Sequence, residues 1–405
     1  MNYELLKKSW LLLVAICSFT GVFGQQDSTK NDITISLITG SPGNELYSTF
    51  GHSAIRIRSS ASGQDILYNY GTFDFDTPNF YMKFIRGKLP YMLSTDNMAD
   101  LVRYYQYENR SITEQILNLN DAQEYQLIEL LQWNHRPENR AYLYDFFYSN
   151  CATMIRDIFE KQYGVVYATA TNRHLTFRQL LDEYLLRSPW SDFGIDLILG
   201  LPADKEADFR HQMFLPDYLS RNLAAARLDN QALLQPAVVL QNKTPLPPSW
   251  ALIKLTPMLV FVIVAILAVV ITLSKAPKVK NVFDVLLFSL CGLAGVFFLF
   301  MWFGTDHIAT KWNWNVLWLN PLYLVSVVGI IRRSSQKWLR FSFAVFATLL
   351  WLLLLTWNWF PQQFNVAIIP ILITLIMRSM DREGIVLNLI LGKLRFKKAS
   401  FINSK

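Results

Sequence analysis

Over the first 245 residues, apolar and polar positions alternate or recur at helical spacing; beyond residue 250 they merge into long apolar runs. Alternation over 32–39, 48–58 and 65–70 predicts three strands, the last two joined by a turn rich in Ser and Gly at 59–63. A helical pattern covers 98–107. A strand over 112–119 follows, anchored by Ile112, Ile116 and Leu117. Asn120 then caps a helix to about residue 134, with Asp121 and Glu124 in its first turn, where the helix dipole favours acids. An aromatic run over 142–148 reads as a strand. From Cys151 onward, Ala152, Ile155, Ile158 and Phe159 fall on one helical face. Helices dominate 176–230, and Thr244-Pro245-Leu246-Pro247-Pro248 is a stiff linker.

Five apolar runs close the chain, at 251–273, 282–303, 315–331, 338–357 and 365–377. At 1.5 Å per residue, roughly 20 residues cross the ~30 Å hydrocarbon layer, so each run is a candidate membrane helix, the last being the shortest. Basic residues between the runs orient them. Lys275, Lys278 and Lys280 follow the first; Arg332, Arg333, Lys337 and Arg340 separate the third and fourth; Arg378, Arg382, Lys393, Arg395, Lys397 and Lys398 follow the fifth. The opposite loops hold only Lys311. The positive-inside rule puts the three basic segments in the cytoplasm and residues 25–245 outside. Trp302, Trp312, Trp314, Trp318, Trp357 and Trp359 gather near the outer interface, as an aromatic belt does.

The first residues agree with that orientation. Lys7 and Lys8, an apolar stretch from Trp10 to Phe23 and small residues ahead of Gln25 describe a signal peptide over 1–24. An uncleaved anchor is the alternative; a lipobox at Cys17 would require a small residue where Ile16 stands. The division is thus a signal peptide (1–24), an exported α+β domain (25–245), an all-α five-span membrane domain (246–380) and a basic cytoplasmic tail (381–405). Composition agrees: of 405 residues, 52% are hydrophobic. The net charge of +7 does not point to nucleic acid, because the basic residues lie beside the apolar runs, where topology accounts for them.

Of three cysteines, Cys17 is in the leader and Cys291 in an apolar run, leaving Cys151 without a partner in the exported domain. A lone thiol in an oxidising compartment suggests chemistry; an inert buried cysteine is the alternative. At a helix start the amide N–H groups lower a thiol pKa and offer an oxyanion hole. His52, in Phe50-Gly51-His52-Ser53-Ala54, is the candidate base, although strand histidines are often structural. Asn69, in Tyr68-Asn69-Tyr70-Gly71, is a candidate to orient the imidazole, with Tyr70 and Asp74 as alternatives. The five histidines are scattered without ligand spacing, and no phosphate-binding glycine loop is present, so neither metal nor cofactor is expected. A polar, aromatic patch from Gly304 to Asn315 stands at the outer mouth of the membrane domain, fit for a lipid headgroup or as an interfacial anchor. Asn150, Tyr70, His307 and Asn313 are the candidates for contacting substrate.

The order of histidine strand, second strand and cysteine at a helix start resembles circularly permuted papain-like (NlpC-like) enzymes, a group that includes lecithin retinol acyltransferase. Closer still is the resemblance to Lnb-type bacterial lipoprotein N-acyltransferases. It is carried by Phe50-Gly51-His52-Ser53, Tyr68-Asn69-Tyr70-Gly71-Thr72-Phe73-Asp74, Asn150-Cys151, Thr305-Asp306-His307 and Asn313-Trp314-Asn315. The resemblance implies a multi-pass inner-membrane enzyme with its catalytic domain in the periplasm. A membrane phospholipid would be the acyl donor, and the α-amine of a lipoprotein's lipid-modified N-terminal cysteine the acceptor. A membrane-anchored hydrolase of cell-wall peptide or phospholipid, and a non-catalytic binding module, are the competing readings.

Overall fold

The computed structural model describes residues 32–167, 173–244, 255–332 and 336–383. The expected signal peptide with Cys17, the proline linker from Pro245 on and the expected tail from residue 384 lie outside the described residues.

The exported domain is built on a seven-stranded sheet. In chain order its first half comprises β1 (Ile33–Gly40), β2 (His52–Ser59), β3 (Asp65–Thr72), α1 (Phe80–Ile85), β4 (Pro90–Asn97), α2 (Met98–Tyr107), β5 (Ile112–Ile116), α3 (Asp121–His135) and β6 (Ala141–Leu143). Then come α4 (Cys151–Tyr163), β7 (Val166–Tyr167), α5 (Phe177–Leu185), α6 (Pro189–Ile198), α7 (Phe209–Gln212), α8 (Pro216–Ala224), β8 (Ala226–Leu228), β9 (Gln231–Ala232) and β10 (Val238–Gln241). The sheet order is β10-β5-β1-β2-β3-β4-β6, and every pairing is antiparallel. Strands β7 to β9 make a small separate sheet.

Period-two alternation divides the large sheet into two faces. Ile35, Leu37, Ile55, Tyr68 and Tyr70 pack against Ala152, Ile155 and Phe159 of α4 and Leu219 of α8. On the other face, Ile38, Ala54 and Leu67 pack under Met98 and Tyr105 of α2. Arg56 is buried on that second face, paired with Asp65 at 2.6 Å and Glu114 at 2.9 Å. Asp65 comes from the neighbouring β3 and Glu114 from β5, across β1, so this buried charge is matched where it would otherwise be costly.

Three differences from the sequence expectation have local causes. The aromatic strand expected over 142–148 stops at Leu143, because Asp145 Oδ1 accepts from the Phe147 and Tyr148 amides and bends the chain into a turn. The segment 46–48 is a 3-10 turn, so β2 begins at His52. Strand β4 and helix α1 occupy 80–97, for which no element was expected.

The membrane domain comprises α9 (Pro257–Leu273), α10 (Pro277–Phe303), α11 (Tyr323–Ile331), α12 (Gln336–Leu355) and α13 (Ile369–Glu383). Helices α10 and α12 are long and apolar enough to cross a bilayer, while α9 is a shorter apolar helix of 17 residues. The third run is not a full-length helix. Its first part is a 3-10 turn at Trp314–Leu317 and irregular backbone, and α11 has only 9 residues. That irregular stretch lies against α10, where a Cβ on Gly295 would meet Leu319 O at 1.8 Å. Non-helical backbone is tolerated at such a position only because protein covers it.

Candidate functional site

Cys151 is the first residue of α4, and Asn150 caps that helix. Asn150 Oδ1 accepts from the Ala152 and Thr153 amides, both at 2.9 Å, while the Asn150 N–H donates to Thr153 Oγ1 at 2.7 Å. Its Nδ2 donates to Phe146 O and Phe214 O, each at 2.8 Å. Every polar side-chain atom of this buried residue is therefore engaged. Asn150 is a cap that fixes where α4 begins, and it also lines the cavity at the Cys151 sulfur. Such a cap contributes about 1 kcal/mol to a helix. Met154 N–H bonds Asn150 O, so the Cys151 N–H is the first-turn amide left to face an acyl oxygen.

His52 and Asn69 lie on the sheet face of Ala54 and Leu67, whereas α4 packs on the opposite face. They meet Cys151 because the β2–β3 ladder extends only to Ile55↔Tyr68. Beyond that point the edge of β2 at His52 and Ser53 is free of β3, and the start of α4 fits there. The His52 ring and the Ser53 and Ala152 backbone N–H groups lie close enough to the sulfur to stabilise its thiolate. Gly71 borders this gap at φ +96°, a conformation that favours glycine; a Cβ there would make ordinary contact with the Tyr144 ring at 3.8 Å and Cys151 Cβ at 4.0 Å. It also sits at a bulge in the β3–β4 pairing.

A line of hydrogen bonds continues behind the imidazole. His52 Nε2 donates to Asn69 Oδ1 at 3.0 Å, which leaves Nδ1 for the thiol. Asn69 Nδ2 donates to Asp96 Oδ2 at 2.7 Å. Asp96 stands opposite Leu67 in the β3–β4 register, one diagonal step from Asn69. Sequence reasoning missed Asp96, since it belongs to a strand that was not expected.

Burial alone would push the Cys151 thiol up, but the charge and hydrogen bond of His52, with the two amides, outweigh it and the thiol ends lower than usual. Burial likewise pushes the His52 imidazole down, and the Cys151 charge, its hydrogen bond and that of Asn69 outweigh it, so the imidazole ends higher. Both shifts favour a thiolate–imidazolium pair. Tyr142 lies close by: its hydroxyl is buried beside the Gly71 N–H, and its proton has no acceptor among the described residues.

Two cavities flank the imidazole. The one at the sulfur, of about 130 Å³, is lined by Phe50, His52, Tyr70, Tyr144, Phe146 and Cys151, among others. The other, of about 250 Å³, is of mixed lining and includes Asn69, Asp96 and Arg110 beside Leu101, Tyr104 and Tyr105. Tyr70 thus meets the first cavity with its ring, but its hydroxyl accepts from Asn134 Nδ2 at 2.8 Å within the core, and burial pushes its pKa to about 12.

His307 and Asn313 do not reach either cavity. Asn313 Nδ2 donates to Leu197 O at 2.9 Å and Ile198 O at 3.1 Å, joining the membrane domain to the end of α6. His307 Nε2 donates to Phe84 O and Ile85 O in α1, both at 3.1 Å. The expected headgroup patch is instead a docking seam: the Gly200 N–H bonds Ala309 O, and Asn365 Nδ2 bonds Asp192 and Asp196. Polar residues here satisfy backbone carbonyls at a domain interface, a need that composition cannot distinguish from ligand binding.

Three carboxylates, of Asp182, Asp192 and Asp196, converge at the same seam within 4.8 Å of one another. Asp196 is held by Arg178 at 2.8 Å, and Asn365 bridges Asp192 and Asp196, so the trio is knit into the docking contacts.

Residues 22–183 match the Lnb N-terminal periplasmic domain, and residues 249–385 match the Lnb transmembrane domain. No curated protein and no solved structure matches the chain.

Proposed function

The chain belongs to the Lnb family, and from that premise we propose that it is a lipoprotein N-acyltransferase working through a Cys151 thioester. It is a membrane protein with a periplasmic domain; in this reading it is a five-span inner-membrane enzyme whose exported domain is a permuted papain-like fold. The observation that carries the proposal is the line Cys151–His52–Asn69–Asp96, placed at an aromatic cavity in a domain docked on membrane helices.

The Cys151 thiolate attacks the carbonyl carbon of a phospholipid acyl ester. The tetrahedral oxyanion is met by the Cys151 N–H, with the Tyr142 hydroxyl close by. The His52 imidazolium gives its proton to the departing lysophospholipid oxygen, leaving an acyl thioester and a neutral imidazole. The α-amine of the lipoprotein's lipid-modified N-terminal cysteine then attacks the thioester while His52 takes the amine proton. The amide forms, the thiolate leaves, and the starting ion pair is restored. Asn69 and Asp96 act through His52, holding its ring in the orientation that both proton transfers require.

The test is the mass of the Cys151 peptide after the full-length protein is incubated with phospholipid vesicles. One acyl chain added at Cys151, and lost on adding a lipoprotein amine, is expected. Cys151→Ala, and Cys151→Ser with its far less ionised hydroxyl, should abolish transfer in protein that still inserts. Near-normal transfer by Cys151→Ala would remove every thiol-based reading.

A further inference from the structure

The connection between β3 and β4 leaves several of its apolar side chains exposed. None of the six residues of α1 is buried. Phe75, Tyr81, Met82, Phe84 and Ile85 are all exposed, Tyr81 by 76%. Single exposed apolar side chains need no explanation, but five on one short connection do. Lys83, Arg86 and Lys88 are interleaved with them or follow directly.

The membrane domain fixes the height of this connection. His307 donates to the Phe84 and Ile85 carbonyls, the Asp306 N–H donates to Arg86 O at 2.9 Å, and Lys88 Nζ lies 3.6 Å from the Asp306 carboxylate. Asp306 and His307 come three and four residues after Phe303, the last residue of α10. Phe303, Ile308 and Trp312 are exposed around them, which is where an interfacial belt belongs. α1 is therefore held level with the outer end of a membrane-crossing helix, with its apolar side chains bare and its basic ones beside them.

From α1 a line of aromatic rings leads back to the thiol. Ring centroids are 6.2 Å apart from Phe84 to Phe80, 5.7 Å from Phe80 to Phe73, 5.3 Å from Phe73 to Tyr91 and 4.5 Å from Tyr91 to Tyr144. Tyr144 lines the Cys151 cavity.

We propose that α1 is immersed among the phospholipids of the outer leaflet, and that the aromatic line from Phe84 to Tyr144 is the path by which one phospholipid acyl chain reaches Cys151. Lys83 and Arg86 supply positive charge that attracts phosphate headgroups, while Lys88 pairs with Asp306. The second half of the proposal rests on the thioester reading; the first half does not.

Depth is read on the full-length chain in vesicles of phosphatidylethanolamine and phosphatidylglycerol. Met82→Cys in a Cys151→Ala background carries a nitroxide, compared with the unlabelled-site parent. The label should collide with dissolved oxygen several-fold more than with a water-soluble nickel chelate. A label at Ser62→Cys, in the turn at the far end of β3, should show the reverse. Nickel access at Met82 equal to that at Ser62 would overturn the proposal, as would dipolar broadening that vanishes on dilution with unlabelled protein, which assigns the face to a second copy. For the path, Met82→Glu combined with Phe84→Glu should slow acyl loading of Cys151 from the same vesicles at least tenfold, while iodoacetamide still alkylates the thiol at the parent rate. Unchanged loading removes the path. If the parent protein itself loads no acyl chain, the thioester reading fails and the depth measurement alone decides the place of α1.

Discussion

Asn69 holds His52 from behind: its Oδ1 accepts from His52 Nε2 at 3.0 Å, on the side of the ring away from Cys151. Asn69 is in turn held by Asp96 through its Nδ2. An amide rather than a carboxylate touches the imidazole, so the ring is oriented without a neighbouring full charge competing for its proton.

Asn69→Ala should therefore lower kcat by about 10- to 100-fold, in line with the loss of a group that positions a base, with little change in KM. Asp96→Asn, which keeps the shape but weakens the hold on Asn69, should cost less. The kcat and KM values of the two variants check this, together with their pH profiles: loss of orientation lowers the rate, and loss of the Asn69 hydrogen bond moves the alkaline limb down. A rise in KM alone would make Asn69 a substrate contact instead.

Thiol reactivity should report the ion pair directly. The Cys151 pKa lies below its ordinary 9.0 and that of His52 above its ordinary 6.5. Alkylation by iodoacetamide should stay fast below pH 9 and fall only as pH drops through the lowered thiol value. His52→Ala removes the charge and hydrogen bond that lower it and leaves burial, which raises it, so the midpoint should move up. Acyl transfer should follow a bell, its alkaline limb set by the imidazolium, with both midpoints belonging to the coupled pair. An unshifted alkylation midpoint in His52→Ala would separate the two side chains functionally.

The docking seam predicts that Asn313→Ala destabilises rather than blocks a substrate. It strips the Leu197 and Ile198 carbonyls of a buried donor, a loss of about 1–3 kcal/mol. Limited proteolysis of the purified protein should show faster cleavage near α6, with no change in KM for phospholipid among molecules that remain intact.

Asp182 gives the seam a pH dependence. Burial, then the charges of Asp196 and Asp192, raise its carboxyl from 3.8 to about 7. A carboxyl raised on folding contributes stability that is full below 3.8 and lost as pH rises through about 7. Melting temperature in detergent should thus fall between pH 5 and about 8. Asp182→Asn should flatten that slope and melt higher than the parent at the alkaline end. Equal slopes in the two proteins would mean that Asp182 ionises freely in the folded state.

Much of this was legible in the chain because it depends on local periodicity. Alternation placed β1, β2, β3 and β5, and α2 was expected over the same residues it occupies. Cys151, His52 and Asn69 stood out as a lone exported thiol, a strand imidazole and its neighbour, and the fold brings all three to one point. The loops at 304–314 and 358–364, which hold Lys311 alone where the other connections hold several basic residues, touch the exported domain. That signal survives because charge bias acts along the chain and needs no register.

What tertiary structure alone decided depends on register and on which surfaces meet. Asp96 joins the site only because β4 pairs with β3 so that Asp96 lies diagonally across from Asn69. Cys151 reaches a histidine on the far face of the sheet because the β2–β3 ladder stops at Ile55↔Tyr68. His307 and Asn313 have the composition of a headgroup site, yet they spend their donors on carbonyls of α1 and α6, more than a hundred residues away in the chain. Hydrogen bonds of that span follow from packing two domains together, and no spacing within either segment encodes them.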